Sequence, residues 1–418
     1  MDVTVSALGA IVALIVAIIL IIKKVHPVYG LIVGALIGGI VGGAGITGTV
    51  DLMISGAKGM MSAILRILTS GVLAGVLIKS GAADKIAESI VEKIGENNAL
   101  ASLTIATMVL TMVGVFIDVS VITVAPIALA IANKAKLTKT GILIAMIGGG
   151  KAGNIMSPNP NTIALAENFG VSLTNVMVAG IVSAIFGVIV TFIISNKLKY
   201  KGTVITAKDL VNDLKEKPSF VTAIVGPLVA IILLALRPIA GIVIDPLIAL
   251  PVGGIIGAIA MGKGRKINEY AIFGIGKMSG VAVLLIGTGT VAGIIANSEL
   301  KDLIIQGINT FGLPAFALAP VSGLLMAAAT ASTTSGAAVA SSVFGPTILE
   351  LGVSGVAAAA MINASCTVLD SLPHGSFFHT TGGSINMEMK ERLKLIPYEA
   401  TVGLTMTIVS VIVFGIIL

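Results

Sequence analysis

Apolar residues fill most of the chain in long runs that are separated by short polar turns. A helix needs about 20 apolar residues to cross the hydrocarbon core of a bilayer, and about ten runs approach that length. We therefore predict an all-α polytopic membrane protein. The predicted spans are Val5–Ile22, Val28–Ala44, Met61–Lys79, Gly141–Ala166, Thr174–Ser195, Phe220–Leu236, Pro246–Met261, Ser279–Ala296, Val353–Gly382 and Pro397–Leu418.

Two further apolar segments are interrupted near their middle by polar clusters. Ala99–Asn133 contains the cluster Asp118–Ser120, and Pro314–Leu349 contains Thr330–Gly336. Irregular backbone at membrane depth is tolerated only where it is buried in protein or lines a water-filled cavity. We predict that each segment is a re-entrant hairpin with the polar cluster at its tip.

Two of the predicted spans contain turn-forming stretches. Gly148–Thr162 reads GGGKAGNIMSPNPNT, and Leu369–Gly383 reads LDSLPHGSFFHTTGG. Proline removes a backbone donor, and Gly and Asn favour turns, so a regular helix is not expected to continue through either stretch. We predict two broken helices, and the same limit on irregular backbone places them at a binding site.

The chain divides into two similar halves around a polar linker, residues 196–219. Thr69–Ile86 aligns with Gly287–Ile304, and the hairpin precedes the broken helix in both halves. We predict repeats at 1–195 and 220–418, with opposite orientations because an odd number of spans precedes the linker. Transporters built this way bind substrate and ions near the bilayer midplane, where the repeats meet.

Composition supports a membrane protein and excludes a soluble one. Hydrophobic residues make up 56% of the chain and charged residues 11%, with a mean hydropathy of +1.09. The net charge of +6 lies mostly in short loops, so we expect a lipid bilayer and no nucleic acid as partner. The bias of Lys and Arg predicts a cytoplasmic linker and both termini outside. We expect a multi-pass protein of a bacterial-type inner membrane. The single cysteine, Cys366, is expected to be a packing residue.

The hairpin tips and helix breaks are rich in hydroxyl and amide side chains. Together with free N–H groups at helix starts, these groups suit a small anion that bears hydroxyls. The alternative is that the same side chains only cap broken helix ends. The candidate substrate-binding residues are Ser120, Asn154, Ser157, Asn159, Asn161, Thr162, Ser332, Thr333, Thr334, Ser335, His374 and Ser376.

Ionisable residues inside predicted spans are costly and indicate function. Asp118, Asp370 and His374 are the candidate sites for a coupling ion. Histidine exchanges a proton near neutral pH, which favours His374 as a proton carrier. Lys151 needs a partner at this depth, and we predict an ion pair with Asp118.

Motifs of enzymes and nucleotide-binding proteins are missing from the sequence. There is no His-Glu-x-x-His, no Gly-x-Ser-x-Gly, no Walker motif and no cysteine pair for a metal. We expect no enzymatic activity and no cofactor, and we expect an ion gradient to drive transport. A proton is the expected coupling ion and sodium is the alternative. A passive channel or a receptor that does not transport is a further alternative.

Three stretches resemble the gluconate permease (GntP) family of the ion transporter superfamily. They are VFIDVSVITVAPIALAIA, GGGKAGNIMSPNPNTIALAENFGV and LDSLPHGSFFHTTGG, and the resemblance covers essentially the whole chain. It implies proton-coupled symport of gluconate or a related small hydroxy acid such as glycerate or hydroxybutyrate. It also implies inverted repeats in a homodimer, whose transport domains move against a scaffold like an elevator.

Two motifs differ from the gluconate carriers that the chain resembles. Asp118 stands in Ile-Asp-Val, where those carriers tend to have a glutamate. Ser157–Thr162 reads Ser-Pro-Asn-Pro-Asn-Thr, where they have Pro-Pro-His-Pro-Gly-Pro. The histidine of the first break is thus absent. The particular acid stays open, and the Asn-, Ser- and Thr-rich tips keep sodium as an alternative coupling ion.

Overall fold

The computed structural model describes residues 4–95, 98–206, 209 and 216–418. Across these ranges the chain is almost entirely helical. They contain no β-strand and only two isolated bridges, Val5 with Ser298 and Thr138 with Val204. The predicted all-α class is confirmed, and part of the predicted linker, residues 207, 208 and 210–215, lies outside the described residues.

Helices of the first half follow the predicted runs with two additions, Gly45–Gly59 and Ala82–Ile94. Pro27 and Pro160 each stand at the first position of a helix, where the missing N–H costs nothing. The helices are α1 (Ala7–Ile22), α2 (Pro27–Val41), α3 (Gly45–Gly59), α4 (Met61–Lys79), α5 (Ala82–Ile94), α6 (Ala99–Met112), α7 (Ile117–Ala135), α8 (Lys139–Asn154), α9 (Pro160–Asn168) and α10 (Leu173–Leu198).

The second half is built in the same way and ends in one long helical unit. Its last helix, α20, continues into a π-helical segment, Ile412–Ile417. The helices are α11 (Phe220–Ala240), α12 (Pro246–Ala260), α13 (Ile267–Ala296), α14 (Leu300–Thr310), α15 (Leu318–Thr330), α16 (Thr333–Glu350), α17 (Gly355–Ser365), α18 (Ser376–Gly383), α19 (Met389–Leu393) and α20 (Ile396–Val411).

Several helices were not predicted because they are not uniformly apolar. α5 carries Asp84 and Lys85 near its start, and the first turn of α14 carries Asp302. A search for apolar runs passes over such segments. α13 also begins earlier than predicted, at Ile267 instead of Ser279, because its first turns include polar residues.

The length and apolar composition of the helices indicate an integral membrane protein. Among the described residues, five helices are long and apolar enough to cross a membrane. Other apolar helices are shorter, and several of them belong to the predicted hairpins and broken helices. The number of crossings therefore stays a prediction. The five long helices are Met61–Lys79, Ile117–Ala135, Leu173–Leu198, Gly264–Ala296 and Met389–Ile417.

Most helix contacts fall into two groups. The α13 group consists of α1–α4 and α11–α13, and the α8 group consists of α6–α10, α15–α18 and α20. α4 against α9 and α13 against α16 are contacts between the groups. Arg66 on α4 reinforces one of them, because it pairs with Glu167 on α9 as well as with Asp245 before α12.

The run Gly148–Gly150 does not break its helix, so this part of the predicted break is wrong. α8 continues to Asn154, and the interruption covers only residues 155–159, before Pro160. A Cβ at Gly149 would lie 2.1 Å from the carbonyl oxygen of Thr104 on α6. The glycines therefore allow close helix packing, as small residues do in membrane proteins.

Both predicted hairpin segments are interrupted, at slightly different places than the polar clusters indicated. The first interruption is Val113–Phe116, so Asp118 lies in the first turn of α7 and not at the tip. The second interruption is Ala331 and Ser332, within the predicted cluster. Ala331 is buried with a φ of +47°, a left-handed conformation that is uncommon without glycine.

Candidate functional site

One cavity lies where the two interrupted segments meet the two helix breaks. Its volume is about 170 Å³, and both halves of the chain line it. Apolar side chains in its wall include those of Phe116, Ile117 and Phe377. The predicted site residues that line the cavity are Asp118, Asn154, Asn159, Ser332, Thr333, Thr334, Ser335, Asp370 and Ser376.

Four helices begin at this cavity. α7 starts at Ile117, α9 at Pro160, α16 at Thr333 and α18 at Ser376, and each start has a residue in the lining or beside it. The first N–H groups of a helix lack partners within the helix and carry a partial positive charge. The convergence of four such ends makes the cavity suited to an anion.

The second break holds a carboxylate against the cavity. Asp370 accepts a hydrogen bond from Thr333 Oγ1 at 2.7 Å through Oδ2 and from Ser371 Oγ at 2.9 Å through Oδ1. Lys151 Nζ lies 2.7 Å from Asp370 Oδ1. The predicted pairing of Lys151 with Asp118 is therefore wrong. The fold brings the break of the second half, and not the start of α7, to the end of the lysine side chain.

The first break is tied together by short-range hydrogen bonds. Ser157 Oγ donates to the Asn154 carbonyl at 2.8 Å, and Asn159 Nδ2 donates to Asn154 Oδ1 at 3.0 Å. Asn154 and Asn159 line the cavity, whereas Ser157 is buried behind it. Part of the predicted polar set therefore shapes the turn, which was the alternative left open by the sequence.

Several other predicted site residues lie away from the cavity lining. Ser120 receives a hydrogen bond from Thr111 Oγ1 at 3.1 Å. Asn161 Nδ2 donates to Asn363 Oδ1 at 2.8 Å, and Thr162 is buried. His374 is exposed, and its Nε2 lies 3.2 Å from the Ala329 carbonyl oxygen.

Three hydroxyl groups in the lining are available for a ligand. The side chains of Thr334, Ser335 and Ser376 make no hydrogen bond with any other residue that the structure describes. Hydroxyl groups can both donate and accept. They can therefore bind either the carboxylate or the hydroxyls of a polar anion.

A buried ion pair behind the site was missed by sequence reasoning. Arg392 is 1% exposed, pairs with Glu399 and donates from Nε to the Phe378 carbonyl at 3.2 Å. In the sequence it belongs to the basic stretch MKERLK, which indicates a cytoplasmic turn. Nothing in that pattern separates the one buried basic residue from its exposed neighbours.

Comparison with known proteins identifies the family. A sequence model described as GntP family permease matches residues 3–417. An uncharacterized transporter of Haemophilus influenzae is 62% identical over 414 residues, which cover 99% of each chain.

More distant relatives carry functional names. The high-affinity gluconate transporter of Escherichia coli is 24% identical over 225 residues, covering 52% of this chain and 50% of that one. The gluconate permease of Bacillus licheniformis is 26% identical over 203 residues, covering 48% of this chain and 44% of that one.

A solved structure shares the fold. The crystal structure of the Alcanivorax borkumensis YdaH transporter, described as having an unusual topology, matches with a TM-score of 0.62 at 17% identity and 89% coverage of both chains. At this identity the likeness concerns the fold alone. Because the family model matches almost its whole length, the chain belongs to the GntP family of permeases, which are membrane transporters and not enzymes.

Proposed function

We propose that this protein is a secondary transporter that moves a small hydroxycarboxylate together with protons by alternating access. The observation that carries the proposal is the cavity between the hairpins and the breaks, with four helix starts and unpaired hydroxyls in its wall. The helix starts would bind the carboxylate, and hydroxyl and amide side chains would bind the hydroxyls. The names of the gluconate-transporting relatives support this substrate class.

Asp118 is our candidate for the proton site. It lines the cavity and forms no salt bridge with another described residue. A carboxylate that has no salt bridge at membrane depth is costly, and binding a proton lowers that cost. His374 is the proton carrier that the sequence favoured, but its exposed position beside Ala329 supports it less well.

We further propose that the halves are inverted repeats in an elevator-type homodimer. The order of helices supports the repeat, since α4 to α10 correspond in turn to α13 to α18 and α20. The two contact groups support the elevator, with the α13 group as scaffold and the α8 group as the moving part. The cavity would then travel with the α8 group, which supplies most of its wall.

Uptake into proteoliposomes tests the function. Labelled gluconate, glycerate, lactate and 3-hydroxybutyrate would be offered under an inward proton gradient, an inward sodium gradient or neither. We expect one or more acids to accumulate under the proton gradient alone. Accumulation only with sodium would replace proton by sodium coupling. Flux that never exceeds equilibrium would indicate a passive channel, and the absence of flux for every acid would reject the substrate class.

A further inference from the structure

The ammonium group of Lys151 lies in a cage of oxygen atoms next to the cavity. We propose that it is a tethered cation, which fills the place that a bound sodium ion would otherwise take. This inference rests on the proposed transport function and deepens it, because it assigns the residue that decides which ion the transporter needs.

The cage consists of three oxygen atoms from the second half of the chain. Lys151 Nζ lies 2.7 Å from Asp370 Oδ1, 2.6 Å from the Thr367 carbonyl oxygen and 3.4 Å from the Glu399 carbonyl oxygen. An ammonium group has three N–H donors, so each oxygen can receive one. The Lys151 side chain is 0% exposed, and thus the charge is fully enclosed.

The oxygen atoms are the kind that bind hard cations. One is a carboxylate oxygen and two are backbone carbonyl oxygens, which is the ligand chemistry of sodium-like and calcium-like ions. Thr367 and Asp370 lie in the interruption between α17 and α18. In broken-helix transporters, unwound carbonyls of this sort coordinate the coupling sodium. Here the lysine of α8 occupies their centre.

The cage is coupled directly to the cavity through Asp370. One carboxylate oxygen contacts Lys151, and the other accepts the hydrogen bond of Thr333 at the start of α16. Asp370 and Thr333 both line the cavity. Lys151 therefore neutralises this carboxylate and keeps the start of α16 in place without a dissociable ion.

Removing the lysine tests the proposal without any need for a substrate. Purified wild-type protein, Lys151→Ala and Lys151→Met would be unfolded thermally in sodium chloride and in choline chloride of equal concentration. The alanine variant leaves an empty cage around Asp370, whereas methionine fills the space without a charge. Lys151→Ala/Asp370→Asn is the matched control, because it empties the cage and also removes the carboxylate.

We expect sodium to raise the melting temperature of Lys151→Ala and to leave the other three proteins unchanged, since a ligand stabilises only the form that binds it. In proteoliposomes, sodium in place of choline should raise uptake by Lys151→Ala about tenfold or more, because an unpaired buried carboxylate is strongly destabilising.

Two results would contradict the proposal that Lys151 replaces a sodium ion. One is a wild-type melting temperature or uptake rate that depends specifically on sodium. The other is a folded Lys151→Ala variant whose melting temperature does not change with sodium. If Lys151→Ala yields no folded protein, the comparison of the wild type in sodium chloride and in choline chloride still tests the proposal. The melting experiment stands even if none of the four acids is transported, so failure of the tethered cation and failure of the proposed function are distinguishable.

Discussion

Asn161 and Asn363 join the two halves of the chain through a hydrogen bond of 2.8 Å between Nδ2 and Oδ1. Asn363 also donates to the Ile155 carbonyl at 3.0 Å, and Asn161 to the Asn154 carbonyl at 3.3 Å. The break between α8 and α9 is thus tied to α17, the helix that leads into the other break. These amides lie behind the cavity and hold its two walls together.

Replacing Asn161 by alanine should destabilise the protein without weakening substrate binding. The change leaves Asn363 Oδ1 and the Asn154 carbonyl without this partner in a buried place, at a cost of about 1–3 kcal/mol. Thermal unfolding in detergent measures the loss, and the KM of uptake should stay unchanged. Ser183→Ala is the matched control, because the buried Ser183 hydroxyl has no partner among the described residues. Equal melting temperatures of the two variants would contradict the structural role of Asn161.

Asp118→Asn should separate substrate movement from proton coupling. The asparagine keeps the shape of the cavity wall but cannot exchange a proton. We expect substrate exchange across proteoliposomes at equal pH to continue, while accumulation driven by a proton gradient is lost. His374→Ala, which changes an exposed side chain outside the cavity lining, should retain that accumulation. The opposite pattern would move the proton site to His374.

Gly274→Ala should disrupt the packing of α13 against α4. A Cβ at Gly274 would lie 1.7 Å from the Gly71 carbonyl oxygen, so the helices would have to separate. Overpacking of this kind costs about 1–3 kcal/mol. Gly276 lies on the same helix with nothing within 4 Å of an added Cβ. Gly276→Ala should leave stability unchanged or raise it by up to about 1 kcal/mol, because alanine favours the helix. A difference between the melting temperatures of the two variants is the test.

Asp209→Asn should change the acid stability of the region where the linker packs against the start of α8. The hydrogen bond from Lys139, at 2.7 Å, is the main cause that lowers the pKa of Asp209 from its usual 3.8. A lowered pKa contributes stability above the unfolded value, and this contribution is lost as the pH falls through the folded value. The wild type should therefore melt higher than Asp209→Asn at neutral pH, and the difference should shrink below the usual aspartate pKa. A difference that persists unchanged in acid would contradict the pair.

The order of residues was enough to predict the class of the molecule and the parts of its site. Apolar runs of bilayer length predicted a helical membrane protein, because unpaired backbone groups are not tolerated in lipid. The interruption at Ala331–Ser332 was predicted to within a few residues, and the one at 155–159 lies inside a longer predicted break. Proline and the clusters of small polar residues act locally on the backbone, so the sequence indicates where helices stop. The family followed from the same stretches.

Only the tertiary structure decided which of these polar groups face the cavity and which charges meet. Asn159 and Asn161 look alike in the sequence, yet one lines the cavity and the other binds Asn363. Lys151 was predicted to pair with the nearer acid and instead meets Asp370, more than two hundred residues along the chain. Which charges pair depends on their distance in space. A buried charge must have a close partner, because its desolvation is costly. That distance is set by how the two halves pack, and it cannot be predicted from the local pattern of the sequence.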